Sequence, residues 1–108
     1  MSEKPEDIEL YERALEIWGR NCQLYLVMEE CGELINAISK LLRKEAITKS
    51  EAPETFKHNI IKEVEDVRIM LNELEYVIIQ EPELWEKYRK AVFDAFKLRV
   101  QLWDGIKK

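Results

Sequence analysis

Two pairs of carboxylates are the residues of this sequence whose types and spacing could do chemistry. Glu30 and Glu33 stand three positions apart, and Glu63 and Asp66 repeat that spacing downstream. Residues three apart on an α-helix share one face, with Cβ atoms roughly 5–6 Å from each other. If the two faces meet, four like charges surround one small volume and need a cation or a bound proton. The pattern indicates a metal site, or else solvated acidic faces in a chain with 22 acidic residues.

The kind of metal follows from the ligand atoms. Carboxylate oxygens suit Mg²⁺ or Mn²⁺, whereas zinc and copper favour cysteine or histidine. A di-iron bundle would need a Glu-x-x-His pair on each of two helices. The single histidine, His58, does not stand three positions after a glutamate. We therefore expect His58 to be an ordinary surface residue and a magnesium-type site to be the metal hypothesis.

Length and composition predict one helical domain over residues 1–108. The chain is 46% hydrophobic and 36% charged, with only three glycines and three prolines, which disfavours an all-β fold. The net charge of −5 argues against a nucleic-acid polymer as partner. No apolar run approaches 18 residues and no leader pattern begins the chain, so we expect no membrane partner and a cytoplasmic protein. We expect both cysteines to be buried, reduced thiols.

The elements that must position the acids are four helices. Apolar residues recur at three- and four-residue spacing, which predicts helices over about 6–18, 21–44, 54–79 and 82–103. Residues 1–5 and 105–108 are expected to be frayed. Four helices joined by short connections predict an all-α, antiparallel four-helix bundle. The aromatic residues exceed what one small bundle core needs, so we also expect a homo-oligomer, a homodimer or homotetramer.

The apolar stripe of the second predicted helix is expected to face the core of this bundle. Cys31 and Leu42 lie near its centre, and Met28 and Ile35 belong to the same stripe. Glu30 lies about 100° from that centre, at 100° per residue, and so borders apolar surface. On the third predicted helix, Glu63 lies only about 60° from the centre of the apolar stripe. We therefore expect neither acidic helix to project its carboxylates entirely into water.

The two motifs and their surroundings resemble a known family. Glu29-Glu30-x-x-Glu33, followed by Glu63-x-x-Asp66 on the next helix, is similar to the signature of the MazG-like all-α NTP pyrophosphohydrolase superfamily. The dCTP pyrophosphatases and the dimeric dUTPases belong to the same superfamily. Gln23, seven residues before Glu30, also matches. The resemblance covers about residues 15–80, and the two pairs on consecutive helices are its most specific part.

The resemblance implies a function and assigns residues to it. It implies a Mg²⁺-dependent hydrolase, with Mn²⁺ as a substitute, that cleaves an NTP or dNTP to the monophosphate and pyrophosphate by metal-activated water. The metal ligands of the family carry over onto Glu30, Glu33, Glu63 and Asp66. Glu29 would lie beside these ligands without binding the metal itself. The nucleotide-binding candidates, by position, are Trp18, Gln23 and Met70 for the base and Lys40 and Arg43 for the phosphates.

Two other classes of function stay open at the level of the sequence. One is a metal–nucleotide binding or regulatory module that does not turn its ligand over. The other is a purely structural helical oligomer with a solvated acidic face, since Glu-x-x-Glu recurs by chance in acidic helices.

Overall fold

The structure, a computed structural model, describes residues 6–107 and is all-helical, as predicted. Its elements are four α-helices and one π-helical turn: α1 (Ile8–Trp18), α2 (Arg20–Thr48), α3 (Glu54–Glu73), the π turn (Leu74–Ile78) and α4 (Pro82–Lys107). The α4 helix continues through residues 105–107, part of the segment that the sequence analysis expects to be frayed. One glycine, Gly105, costs a helix only about 1 kcal/mol. Residues 1–5 and 108 lie outside the described residues.

The helix ends follow local backbone chemistry. Gly19 has a φ of 83°, a value that suits glycine, and it separates α1 from α2. The α2 helix runs four residues beyond its predicted end and is closed by Lys49 in the left-handed conformation. The side chain of Glu45 then accepts a 2.9 Å hydrogen bond from the backbone N–H of Ala52. This bond fixes the short connection that leads into α3.

Most of the packing within one chain is between α2 and α3. These helices run antiparallel, because Gln23 near the start of α2 lies against Glu73 at the end of α3. The α1 helix packs across α2, α3 and the π turn.

The α4 helix makes its main contacts with the π turn. There Arg89 pairs with Glu75 at 2.6 Å, and the indole N–H of Trp85 donates to the carbonyl of Ile79 at 2.7 Å. Beyond these contacts α4 extends away from the α2/α3 pair. Among residues 6–107 the four helices therefore do not close into a bundle within one chain.

The interior of this chain is unusually polar. Among the residues whose burial the structure describes, the buried polar ones are Gln23, Glu63 and Glu73, and the buried apolar ones are Ala37, Ala52, Met70 and Val77. No helix in the described range is both long enough and apolar enough to cross a membrane.

The expectation that the main apolar stripe of α2 forms the chain's own core is wrong. Met28, Ile35 and Leu42 on that stripe are 69%, 69% and 59% exposed. The reason is that α3 packs against the neighbouring face of α2, which carries Gln23 and Ala37. The cysteines follow the same geometry: Cys22 is exposed and Cys31 is half-buried, so neither is a buried thiol.

Candidate metal centre

The structure brings the four predicted ligands together. One oxygen from each of Glu30, Glu33, Glu63 and Asp66 lies within 4.8 Å of the others. The α2/α3 register explains this convergence. Gln23 of α2 contacts Glu73 of α3. Glu30 lies seven residues after Gln23 on α2, and Asp66 lies seven residues before Glu73 on α3. Because both helices rise 1.5 Å per residue, these residues lie level with each other.

The spacing of these oxygens fits a small divalent cation. Mg²⁺ binds oxygen at about 2.0–2.1 Å in an octahedron, so oxygens on opposite sides of one ion are about 4.2 Å apart. The 4.8 Å limit on the cluster is close to that value, and side-chain rotation can close the difference. The donor set consists only of carboxylates, which suits magnesium or manganese.

Glu30 is the member of the cluster with a buried carboxylate oxygen that lacks a hydrogen-bond partner among the described residues. Its pKa is raised, first by burial and then by the negative charges of Glu33, Asp66, Glu63 and Glu29. Its Oε2 atom is buried and accepts no hydrogen bond from any residue that the structure describes. A buried acceptor without a partner is costly and rare in proteins. The atom is therefore suited to receive a cation.

Lys62 is a member of the site that the sequence analysis missed. Its Nζ lies 2.9 Å from Oδ2 of Asp66 and 3.4 Å from Oε1 of Glu63. The hydrogen bond from Lys62 lowers the pKa of Asp66, against the effect of burial. The Lys–Asp spacing of four residues on one helix was the signal that could have found it. One ammonium group offsets only part of the charge of four ionised carboxylates, so a further positive charge would stabilise the cluster.

Three of the five nucleotide-binding candidates line one pocket. Trp18, Gln23 and Met70 border a cavity of about 320 Å³ between α1, α2 and α3, within the size range of small-molecule sites. Lys40 and Arg43 do not border it. They lie exposed on α2, about 10 and 15 Å beyond Glu33 along the helix axis. Glu29, on the same helix, is also exposed.

The pocket contains a second residue that the sequence analysis missed, Glu73. It is 2% exposed, as is Gln23. With its amide oriented to satisfy its neighbours, Gln23 places Nε2 2.8 Å and 2.6 Å from the two carboxylate oxygens of Glu73. Burial raises the pKa of Glu73. Its position seven residues after Asp66, on the same face of α3, was the signal in the sequence.

The site belongs to an all-α protein with four convergent carboxylates and an adjoining, largely apolar pocket. No protein-family model, no curated protein and no solved structure matches this chain. The chemistry of the site is therefore inferred from its own residues and from the motifs that they form.

Proposed function

We propose that this protein is a Mg²⁺-dependent nucleoside triphosphate pyrophosphohydrolase of the MazG-like type, which releases a nucleoside monophosphate and pyrophosphate. The observation that carries the proposal is the convergence of Glu30, Glu33, Glu63 and Asp66 within 4.8 Å. A second observation supports it, the buried and unpartnered Oε2 of Glu30. Acids on a merely solvated face would point apart into water, because like charges repel.

The four carboxylates would hold Mg²⁺, or Mn²⁺ in its place. When bound, such an ion neutralises phosphate oxygens and acidifies a coordinated water, which is the chemistry that pyrophosphohydrolysis needs. The chain's own contribution is to hold four oxygens in a fixed cluster on two packed helices, so little reorganisation is required on binding. Lys62 shields Asp66 and Glu63 in the metal-free protein.

The order of side chains along α2 supports a nucleotide lying lengthwise on it. Gln23 stands about 10 Å to one side of Glu30, and Lys40 stands about 10 Å to the other side of Glu33. We therefore assign the pocket at Gln23 to the base and the exposed Lys40 and Arg43 to the phosphates. Cationic side chains at that end would offset the negative charge of a triphosphate.

The same proposal includes self-association, because one chain is too open to be stable alone. Its accessible surface is 8741 Å², whereas a folded monomer of this mass exposes about 6,300 Å². Its radius of gyration is 17.8 Å, against about 13 Å for a compact chain of this length. Obligate interfaces bury about 2,000–5,000 Å² in total from both partners, so covering an excess of about 2,400 Å² on each chain lies within that range.

The surfaces that a second copy would cover are α4 and the outer stripe of α2. The exposed apolar residues of α4 include Tyr88, Val92, Phe93, Phe96 and Trp103. A helix with so wide an apolar face needs a partner. Packing of these faces between copies would complete the predicted four-helix bundle in a homodimer or homotetramer.

Product analysis tests the proposed activity. The protein is incubated with each common NTP and dNTP in Mg²⁺, and the products are separated by anion-exchange chromatography. Monophosphate and pyrophosphate are expected. Release of orthophosphate and a diphosphate would contradict the proposal, as would no turnover of any nucleotide. If no nucleotide is turned over, a rise in Tm with a nucleotide and Mg²⁺ would indicate a binding module. No rise in Tm would indicate a structural oligomer.

A further inference from the structure

Glu73 is a buried carboxylate without an ion-pair partner, although Arg13 lines the same pocket. Glu73 is 2% exposed, and among the side chains described for residues 6–106 no lysine, arginine or histidine forms an ion pair with it. Its hydrogen-bonding neighbour is the amide of Gln23. An ionised carboxylate has about four acceptor positions, and one amide group supplies two N–H donors. Glu73 therefore keeps acceptor capacity that its own chain does not fill.

The surroundings of Glu73 suit a flat, largely apolar ligand. It lines the same pocket as Tyr11, Trp18, Leu26 and Met70, so two aromatic rings and two apolar side chains share the cavity with its carboxylate. Arg13 also lines this pocket, but its guanidinium pairs with Glu16 at 3.5 Å. Planar heterocycles stack on aromatic rings, and one polar group in an apolar pocket fixes their orientation.

The position of the pocket relative to the acidic cluster suits one part of a nucleotide. Glu73 and Gln23 lie level with each other, and Asp66 and Glu30 lie level two helical turns away, about 10 Å along the axis. Leu26 and Met70 stand between these two levels and line the pocket. That separation is comparable to the reach from an α-phosphate across a ribose to the far edge of its base.

We infer that this pocket holds the nucleobase and that Glu73 selects bases carrying an exocyclic amino group. The inference rests on the proposed function for the phosphate end of the ligand. An amino group donates an N–H to the Glu73 carboxylate, while the Gln23 amide holds that carboxylate in place. Cytosine and adenine carry such a group. Uracil and hypoxanthine carry a carbonyl oxygen there, which sets one acceptor against another.

The size of this discrimination follows from burial. A carbonyl facing Glu73 would itself lack a donor and would leave unfilled the acceptor capacity of Glu73 that Gln23 does not satisfy. Sites built to hydrogen-bond a substrate group reject analogues that lack it. A hydrogen bond to a charged group in such a site corresponds to roughly 10–100-fold in kcat/KM. Glu73 thus acts as a specificity residue, with Gln23 as its positioning residue.

Two matched pairs of nucleotides test the inference. The kcat/KM values of the parent protein are compared for CTP against UTP and for ATP against ITP, in which an amino group is replaced by a carbonyl. We expect at least about a 10-fold preference for the amino member of each pair. Glu73→Gln, which supplies both a donor and an acceptor, should reduce that preference to near unity. Glu65→Gln, an exposed glutamate on the same helix, should retain it.

A binding measurement separates this inference from the proposed function. Calorimetric titration with CMP and with UMP, in metal-free buffer, reports on the pocket without turnover. CMP should bind more tightly than UMP. Trp18→Ala, a change at an exposed pocket residue that does not threaten folding, should weaken both to a similar extent. That result holds even if Glu73→Gln fails to fold.

The outcomes are distinct. Turnover without amino preference overturns the inference and leaves the proposed function standing. Preference for UTP and ITP also overturns it, because it would mean that Glu73 donates a proton rather than accepting one. Selective binding of CMP without turnover supports the pocket and contradicts the proposed function. If the protein neither turns over any nucleotide nor binds CMP or UMP, both the inference and the proposed function are contradicted.

Discussion

Most proteins bury apolar side chains and expose polar ones. In this chain the seam between α2 and α3 is polar, and the outer faces of the molecule are largely apolar. The seam buries Gln23, Glu63 and Glu73, although buried acids are costly unless they are paired. The outer faces of α2 and α4 expose large apolar side chains such as Met28 and Phe96. Neither arrangement is favourable in an isolated, ligand-free chain.

The proposed cation and the proposed second copy of the chain would account for both departures. The four carboxylates of the seam have one ammonium group beside them, that of Lys62, and the proposed divalent cation would supply the remaining positive charge. The outer faces lack apolar cover, and a second copy of the chain would supply it. The comparison teaches that the proposed ligand site lies on the side of α2 that the chain packs internally, and the proposed association surface on the side that it leaves open. The following changes separate the two regions.

The largest effect is expected from Glu63→Gln, which keeps the shape of a ligand and removes its charge. Loss of even a supporting partner of a metal ligand lowers affinity or activity by about 10–100-fold. Loss of the ligand itself should therefore lower kcat by at least about 100-fold. The metal-free variant should be as stable as the parent or more stable, by about 1 kcal/mol, because one of four like charges is gone. Turnover assays and melting with and without Mg²⁺ measure both effects.

Glu65→Gln is the matched control, since Glu65 lies on the same helix and is exposed. Among the described residues, Glu65 pairs only with its exposed neighbour Arg68 on the same helix, at 2.8 Å, and such surface pairs contribute little to stability. Glu75 is unsuitable because its largely buried pair with Arg89, at 2.6 Å, joins the π turn to α4. If Glu63→Gln and Glu65→Gln behave alike in turnover and in their response to Mg²⁺, the cluster is not a site.

Val92→Glu tests the outer region alone. Val92 is 66% exposed in one chain, so a monomer should tolerate the change within about 0.5 kcal/mol. In an interface it would bury an unpaired charge, and the oligomer should dissociate or unfold at a cost of several kcal/mol. Light scattering and thermal melting report the result. Gln101→Glu, on the opposite side of α4, is the control, and a parent protein that is a stable 12.9 kDa monomer would refute self-association.

The smallest effect is a pH dependence that belongs to the seam. The folded protein holds the pKa of Glu30 above its ordinary value of 4.5, so it binds a proton more tightly than the unfolded chain does. The contribution of Glu30 to the stability of the fold is fully present below its ordinary pKa. It is lost as the pH rises through the pKa of the folded state. Metal-free Glu30→Gln should therefore exceed the parent in stability by on the order of 1 kcal/mol at neutral pH. This advantage should vanish near the ordinary pKa. A difference that does not change with pH in urea melts would contradict the shift.

Periodicity and motif spacing predicted the helices and the convergence of the four carboxylates. The Glu-x-x-Glu and Glu-x-x-Asp spacings fix one face on each helix, and the structure brings those faces together. The connection near Ala52 and the break at Pro82 were also placed correctly, because glycine, proline and turn residues act locally.

What the sequence could not give is which face of α2 meets α3. The stripe with Met28 and Leu42 is the more apolar face, and hydrophobicity alone favours it for the core. The chain packs the adjoining face instead, where Ala37 is small enough for close helix approach. The buried pair of Gln23 and Glu73 depends on that choice, so Glu73 went unrecognised. The π turn after Glu73, closed by the N–H of Ile79 on the carbonyl of Leu74, leaves no clear signal in the residue pattern.

The most direct test of the central claim, that the four carboxylates form one cation site, is a Mn²⁺ titration followed by electron paramagnetic resonance. The parent protein should bind Mn²⁺, Mg²⁺ should compete for the same site, and Glu65→Gln should bind as the parent does. Glu63→Gln should weaken binding by about 100-fold. Equal Mn²⁺ affinity in the parent, Glu63→Gln and Glu65→Gln, or no saturable binding to the parent, would contradict the claim.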